Sequence, residues 1–215
     1  MTKYIVRVVT EQSEVEEINK FIQAVAAFSC STSYTPKQVE LLNAHVFGIH
    51  DGDGAIDDKT FFVIESDGKI IATGGWSIRK QKLDADPLLI PGTDPARIRT
   101  FFVDPSYNKS GLGTLLLQLC ENAALEAGFI SSILYATLNG ESFYHKQGYT
   151  KIKSLGYGIS APPLEGETLE FIFMGKSRLI KHDIKSTLEA FGARGIEINL
   201  AVEPVRQFNF PALRG

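Results

Sequence analysis

The spacing of apolar residues changes period several times along the chain, and each change predicts an element. Residues 4–10 are rich in β-branched side chains and read as a strand. Val15, Ile18, Phe21, Ile22 and Val25 then recur at helical spacing. Ser13, followed three residues later by Glu16, is a capping-box signal for the start of that helix. Thr35-Pro36 predicts the start of a second helix carrying Val39, Leu42 and Val46, because proline suits the first helical turn. Residues 48–58 are rich in Gly and Asp and read as loop. Strands at 60–65 and 70–78 flank Ser66-Asp67-Gly68-Lys69, a hairpin signal. The connection over residues 80–96, with Pro87, Pro91, Gly92 and Pro95, is longer than most and reads either as a lid or as a solvated insertion.

The second half continues in the same way. Residues 98–103 read as a strand stopped by Asp104-Pro105. Leu112, Leu115, Leu116, Leu119, Ala123 and Ala127 share one helical face, with Gln118, Glu121, Asn122 and Glu126 elsewhere, and Gly128 ends the helix. A strand at 131–137, a short helix at 140–147 closed by Gly148, and strands at 149–159 and 168–174 parted by Pro162-Pro163 complete the series. A tail follows. Residues 181–192 predict a helix with Ile184, Leu188 and Phe191 inward. Residues 196–202 alternate, with Ile196, Ile198, Leu200 and Val202 on one face, and such a strand needs a partner sheet. The order β-α-α-β-β-β-α-β-α-β-β plus tail predicts a mixed α/β fold with a mostly antiparallel first half.

A chain of 215 residues suffices for one sizeable domain with a core of its own. Its 44% apolar and 22% charged residues exclude an intrinsically disordered chain. A formal charge of −3 leaves no global basic footprint for nucleic acid. No apolar run approaches the roughly 20 residues that cross a bilayer, and Met1-Thr2-Lys3-Tyr4 opens no signal-peptide pattern, so no membrane partner is expected. Cys30 and Cys120 stand far apart without metal-ligand spacing. That argues against a disulfide framework or a zinc site and fits a reducing cytoplasm.

The chemistry concentrates between Phe101 and Thr114, where a strand ends, a short loop turns and a helix opens at Gly111 and Gly113. Free N–H groups at a helix start, the positive end of its dipole and glycines that admit close approach make an anion site suited to a pyrophosphate, with Lys109 as an added charge. Other phosphate motifs fail. A P-loop would need glycine at the position of Glu170 ahead of Gly175-Lys176-Ser177, and a dinucleotide fold would need a third glycine in an early βαβ unit. Asn108-Lys109-Ser110 also spells a glycosylation sequon, which has no meaning without secretion.

Downstream stands Phe143-Tyr144-His145-Lys146-Gln147-Gly148-Tyr149. Together with Phe101-Phe102-Val103-Asp104-Pro105, the turn Asn108-Lys109-Ser110-Gly111-Leu112-Gly113 and the helix after it, this segment resembles the GNAT superfamily of acyl-CoA-dependent N-acetyltransferases over about residues 3–176. The resemblance implies a central twisted, largely antiparallel sheet with splayed strands and flanking helices over a domain of residues 1–178; residues 179–215 lie outside it and read, from their own pattern, as a helix-strand extension packing on the domain or on a partner subunit. It implies acetyl-CoA as cosubstrate, no metal, and a small-molecule or peptide amine as acceptor. Backbone groups of Phe101, Phe102 and Val103 would bind the pantetheine arm, and Asn108, Lys109, Ser110, Gly111, Leu112, Gly113 and Thr114 would cradle the pyrophosphate. Tyr144 matches the tyrosine that protonates the departing thiolate, a general-acid role open to a phenol within reach.

The sequence departs from the family pattern at two places. Asn108 stands where Gln or Arg is usual, and Ala96-Arg97-Ile98-Arg99-Thr100 lacks the carboxylate that serves some members as base. His50, Glu65, Glu141 and His145 are chemically able substitutes that sequence cannot place. Arg97 and Arg99 share one face of a strand and read either as paired surface arginines or as a clamp for an acceptor carboxylate. Trp76 reads as a core or pocket-wall aromatic, and Tyr34, between the first two helices, as a possible acceptor contact. The departures motivate an alternative, a non-catalytic acyl-CoA-binding sensor. The tail motivates another, an assembly element that packs on a partner subunit as a homodimer rather than on its own domain.

Overall fold

In chain order the elements are β1 (Thr2–Val8), α1 (Val15–Ser29), α2 (Pro36–His45), β2 (Phe61–Ser66), β3 (Lys69–Ser77), β4 (Ala96–Val103), α3 (Leu112–Glu126), β5 (Ser132–Ala136), α4 (Glu141–Lys146), β6 (Thr150–Gly158), β7 (Thr168–Lys176), α5 (Ile184–Gly192) and β8 (Ile196–Ala201). The structure is a computed structural model and describes residues 2–50, 54–80, 88–158, 166 and 168–201. The strands form one sheet in the order β6-β7-β5-β4-β3-β2-β1-β8. All neighbours are antiparallel except β4 with β5 and β1 with β8.

Both faces of the sheet centre are covered, which is why Phe61, Phe62, Val63 and Ile64 are all buried rather than alternating. Phe61 and Val63 join Ile18, Ile22 and Ala26 of α1 and Val39, Leu41 and Leu42 of α2. Phe62 and Ile64 join the opposite layer, with Leu112, Leu115, Leu116 and Cys120 of α3 and Phe191 of α5. The β2–β3 hairpin turns through Asp67 at φ 49° and Gly68 at φ 72°, the paired positive values that a two-residue turn of matching twist requires. Thr35 caps α2 by accepting from the Gln38 N–H, and Gln38 returns the bond to the Thr35 N–H.

Two expectations are corrected, and one of two open alternatives is chosen. Ser13 does not cap α1: a 3-10 turn at Gln12–Glu14 leads in, and the N-cap is Glu14 with no side-chain bond to the helix. Arg7 sets this entry instead, bridging the carboxylates of Glu14 and Glu65 at 2.5 and 2.7 Å. Glu121 and Asn122 of α3 are buried rather than facing solvent. The segment after β7 covers them, and Asn122 exchanges hydrogen bonds with the backbone of His182. Finally, the alternating tail strand finds its partner within its own chain. β8 pairs in parallel with β1 from Thr2↔Ile196 to Arg7↔Ala201, and this pairing also draws β1 back to Thr2. Within the 80–96 connection, residues 81–87 lie outside the described residues, as do Val202, Pro162 and Pro163. The lid expectation falls largely on that stretch.

Candidate active site

The site begins where two parallel strands part. β4 and β5 pair only at Ala96↔Ser132 and Arg97↔Ile133. Beyond Arg97, no strand among the described residues pairs with the β5-facing edge of β4. The opposite edge is bulged. Thr73 faces Phe102 and Gly75 faces Arg99, so Thr100 and Phe101 together oppose Gly74. Thr100 takes φ 61°, unfavourable for a β-branched residue. Thr73 Oγ1 holds its carbonyl at 3.1 Å. Glycine is required opposite: a Cβ at Gly74 would lie 2.9 Å from the Phe101 ring. The bulge thereby turns the backbone of Phe101–Val103 toward the opening between the strands.

Next comes the turn. Asp104 accepts from the Ser106 N–H at 2.8 Å and starts a 3-10 turn, Pro105–Tyr107. Lys109 and Gly111 both take positive φ, 60° and 97°. Gly111 is the N-cap of α3 and has no side chain to cap it; the Leu112 N–H reaches Ser110 Oγ at 3.4 Å, and the N–H groups of Gly113 and Thr114 after it face the opening for a ligand. Leu112 is fully buried, so only its backbone can serve the turn. Asn108 and Lys109 are exposed. A Cβ at Gly113 would meet the Phe143 ring at 3.4 Å and Val103 at 3.7 Å, so glycine there lets the turn lie close to β4 and α4.

Tyr144 projects from α4 into an aromatic nest. Phe143, Tyr149 and Phe101 meet its ring edge-on at centroid distances of 5.0, 5.9 and 6.2 Å. Burial, with a smaller contribution from Cys120, pushes its phenol well above the ordinary 10.0. The group is therefore protonated at neutral pH, which suits a proton donor and not a base.

A cavity of about 1440 Å³ unites these parts. Phe101, Phe102, Val103, every residue from Asn108 to Thr114, and Tyr144 all line it. Arg97 and Arg99 line it as well. Of the four groups considered as bases, His50 reaches the cavity and the others do not line it. Glu65 is held by Arg7, and Glu141 lies 3.9 Å from Lys151. Tyr34 is no acceptor contact. Its hydroxyl donates to the Glu170 carbonyl at 2.6 Å and accepts from the Leu138 N–H at 3.0 Å, tying the α1–α2 junction to β7 and the end of β5. Burial pushes its phenol up to about 12. Trp76 is a core residue packed edge-on against Phe129. No sequence signal pointed to His45 at the end of α2, Phe47 just after it, Asn139 before α4 or Tyr157 of β6, which also line the cavity. Gly74-Gly75 inside a strand was the one available signal for the bulge.

A family model described as the acetyltransferase (GNAT) family matches residues 26–149, more than half of the chain. The chain belongs to the GNAT acetyltransferase family. Solved structures agree in fold. A GCN5-related N-acetyltransferase from Rhodopseudomonas palustris is similar with a TM-score of 0.57 at 19% identity, covering 80% of this chain and 94% of that one. The PaiA N-acetyltransferase from Thermoplasma acidophilum, in complex with coenzyme A, gives 0.54 at 14% identity, covering 80% and 98%. A GNAT-family acetyltransferase from Staphylococcus aureus Mu50 gives 0.53 at 15% identity, with the same coverage. The comparison with curated proteins returned no match. Membership of the GNAT family implies acyl-CoA-dependent acetyl transfer as its general activity. Among the described residues no helix is long and apolar enough to cross a membrane, and no group of His, Cys, Asp and Glu could hold a metal ion.

Proposed function

We propose that this protein moves the acetyl group of acetyl-CoA to a primary amine of its acceptor by direct attack, with Tyr144 as general acid. The observation that carries the proposal is the meeting of three features in one cavity: the unpaired edge of β4, the glycine-opened start of α3 and a phenol held protonated. The turn suits a pyrophosphate and the β4 edge suits the amides of a pantetheine arm, so the residues present fit acetyl-CoA. Bound there, it supplies the thioester. The amine nitrogen bonds to the carbonyl carbon, the carbon–sulfur bond breaks, the sulfur takes the proton of Tyr144, and the phenol recovers one from the amine by way of solvent. An N–H of the β4 edge near Val103 would stabilise the oxyanion. No Asp or Glu is among the described residues lining the cavity, which carries Arg97 and Arg99 instead. This supports an acceptor with a carboxylate and an amine deprotonated through His50 or water. The same absence of a carboxylate favours, as second reading, a non-catalytic acyl-CoA sensor. Both cysteines are unpaired and buried, in keeping with a reducing cytoplasm.

Calorimetric titration with acetyl-CoA, followed by a screen of amines for CoA release, tests the proposal. Tyr144→Phe is expected to bind acetyl-CoA within about twofold of the wild type and to lose on the order of 10²-fold in turnover. Binding without CoA release by any amine would favour the sensor. No binding by a folded wild type would sink both readings.

A further inference from the structure

The C-terminal extension reaches the back of the anion turn. α5 lies against α3, where Thr187 Oγ1 donates to Gln118 Oε1 at 2.8 Å. The Phe191 ring is buried and stands 3.3 Å from where a Gly111 Cβ would be. Arg194, two residues past the end of the helix, stacks its guanidinium on that ring at 4.4 Å. Its Nε donates to the Ala190 carbonyl at 3.2 Å, which fixes the group. Its Nη1 donates to the Ser110 carbonyl at 2.8 Å. Arg194 does not line the cavity, so it touches the turn from behind.

This contact has a direct geometric consequence. In a trans peptide the C=O and the following N–H point in opposite directions. Holding the Ser110 carbonyl outward therefore aims the Gly111 N–H inward, where Gly111 lines the cavity. The turn needs such support. It contains Lys109 in a left-handed conformation that costs a non-glycine residue energy and persists only where its surroundings fix it.

Resting on the acetyl-CoA reading above, we infer that Arg194 is a positioning residue for phosphate binding: it braces the Ser110–Gly111 peptide from behind and places a cation beside the anion the turn receives. The extension thus belongs to the donor site. By reciprocity, an occupied site holds the extension more firmly.

Calorimetry with CoA on the full chain, comparing wild type, Arg194→Ala and Arg194→Lys, tests this. Arg194 is exposed, and melting curves recorded without ligand report whether each variant keeps its fold. Arg194→Ala is expected to weaken CoA about tenfold, and Arg194→Lys, which keeps a cation and a donor, to recover most of that loss. S-acetylpantetheine, which lacks the phosphates, is titrated at millimolar concentration as a second ligand. Its affinity is expected to be unchanged in Arg194→Ala. CoA binding within twofold of wild type in Arg194→Ala, no recovery in Arg194→Lys, or an equal loss for both ligands would overturn the inference while leaving the acetyl-CoA reading intact. A wild type that binds no CoA overturns both.

Discussion

At the scale of single residues, the meaning of a polar side chain depends on what later segments lay over it. Glu121 is the clearest case. On α3 it falls outside the apolar face, yet it is fully buried. Its carboxylate accepts from Lys176 Nζ at 2.7 Å, from Tyr149 Oη at 2.9 Å and from His182 Nε2 at 2.5 Å. Lys176 and His182 both arrive from beyond residue 175. Glu121→Gln keeps the shape and removes the charge, leaving the largely buried Lys176 without its counter-ion. Breaking one side of a buried pair costs about 3 kcal/mol or more. We expect a loss of about that size in urea denaturation. A loss below about 1 kcal/mol would mean that the ammonium reaches water easily.

At the scale of elements, the site is made by a departure from regular pairing. A regular β4 would pair along its whole length and leave no edge for a ligand. The bulge at Thr100-Phe101 and the parting from β5 create that edge, and Gly74 makes room for the Phe101 ring. Gly74→Val is expected to destabilise the protein by about 1–3 kcal/mol through overpacking. It should also weaken acetyl-CoA binding more than Tyr144→Phe does, since it displaces the backbone rather than one hydroxyl. Paired denaturation and calorimetry check this. Normal affinity in the valine variant would show that the bulge does not shape the donor site.

At the scale of the whole molecule, two layers bury phenols on both sides of one sheet. Tyr34 lies among α1 and α2, while Tyr144 and Tyr149 lie beneath α3. Burial is the leading cause that raises all three above the ordinary 10.0. For such groups the folded state keeps a proton that the unfolded state gives up. Their contribution to stability is complete below pH 10 and is lost as the pH rises toward the shifted values, beginning with Tyr34 near 12. Stability should therefore fall steadily above pH 10. Tyrosine absorbance should show these three phenols ionising well above pH 10, with Tyr34 first, near pH 12. Ordinary titration of these rings in a chain still folded by circular dichroism would contradict the burial described here.

The order of strands and helices, the hairpin at Asp67-Gly68, the helix opening at Gly111 and the motif around Tyr144 were legible in the sequence, because each rests on neighbours in the chain. Apolar period, turn chemistry and the spacing of glycines act over a few residues and leave a local trace. The entry to α1 misled because Arg7, with a partner at Glu65, competes for Glu14. Tyr34 misled because its hydroxyl is claimed by residues more than a hundred positions away. The sequence by itself determined which elements form and where an anion could be received. The splay of β4 from its neighbour was implied by the family resemblance, but only the tertiary structure decided that the pairing with β5 stops after Arg97, that the tail strand returns to β1 and that Arg194 stands behind Ser110. These outcomes depend on contacts between distant segments, whose energies exist only once the chain has brought them together.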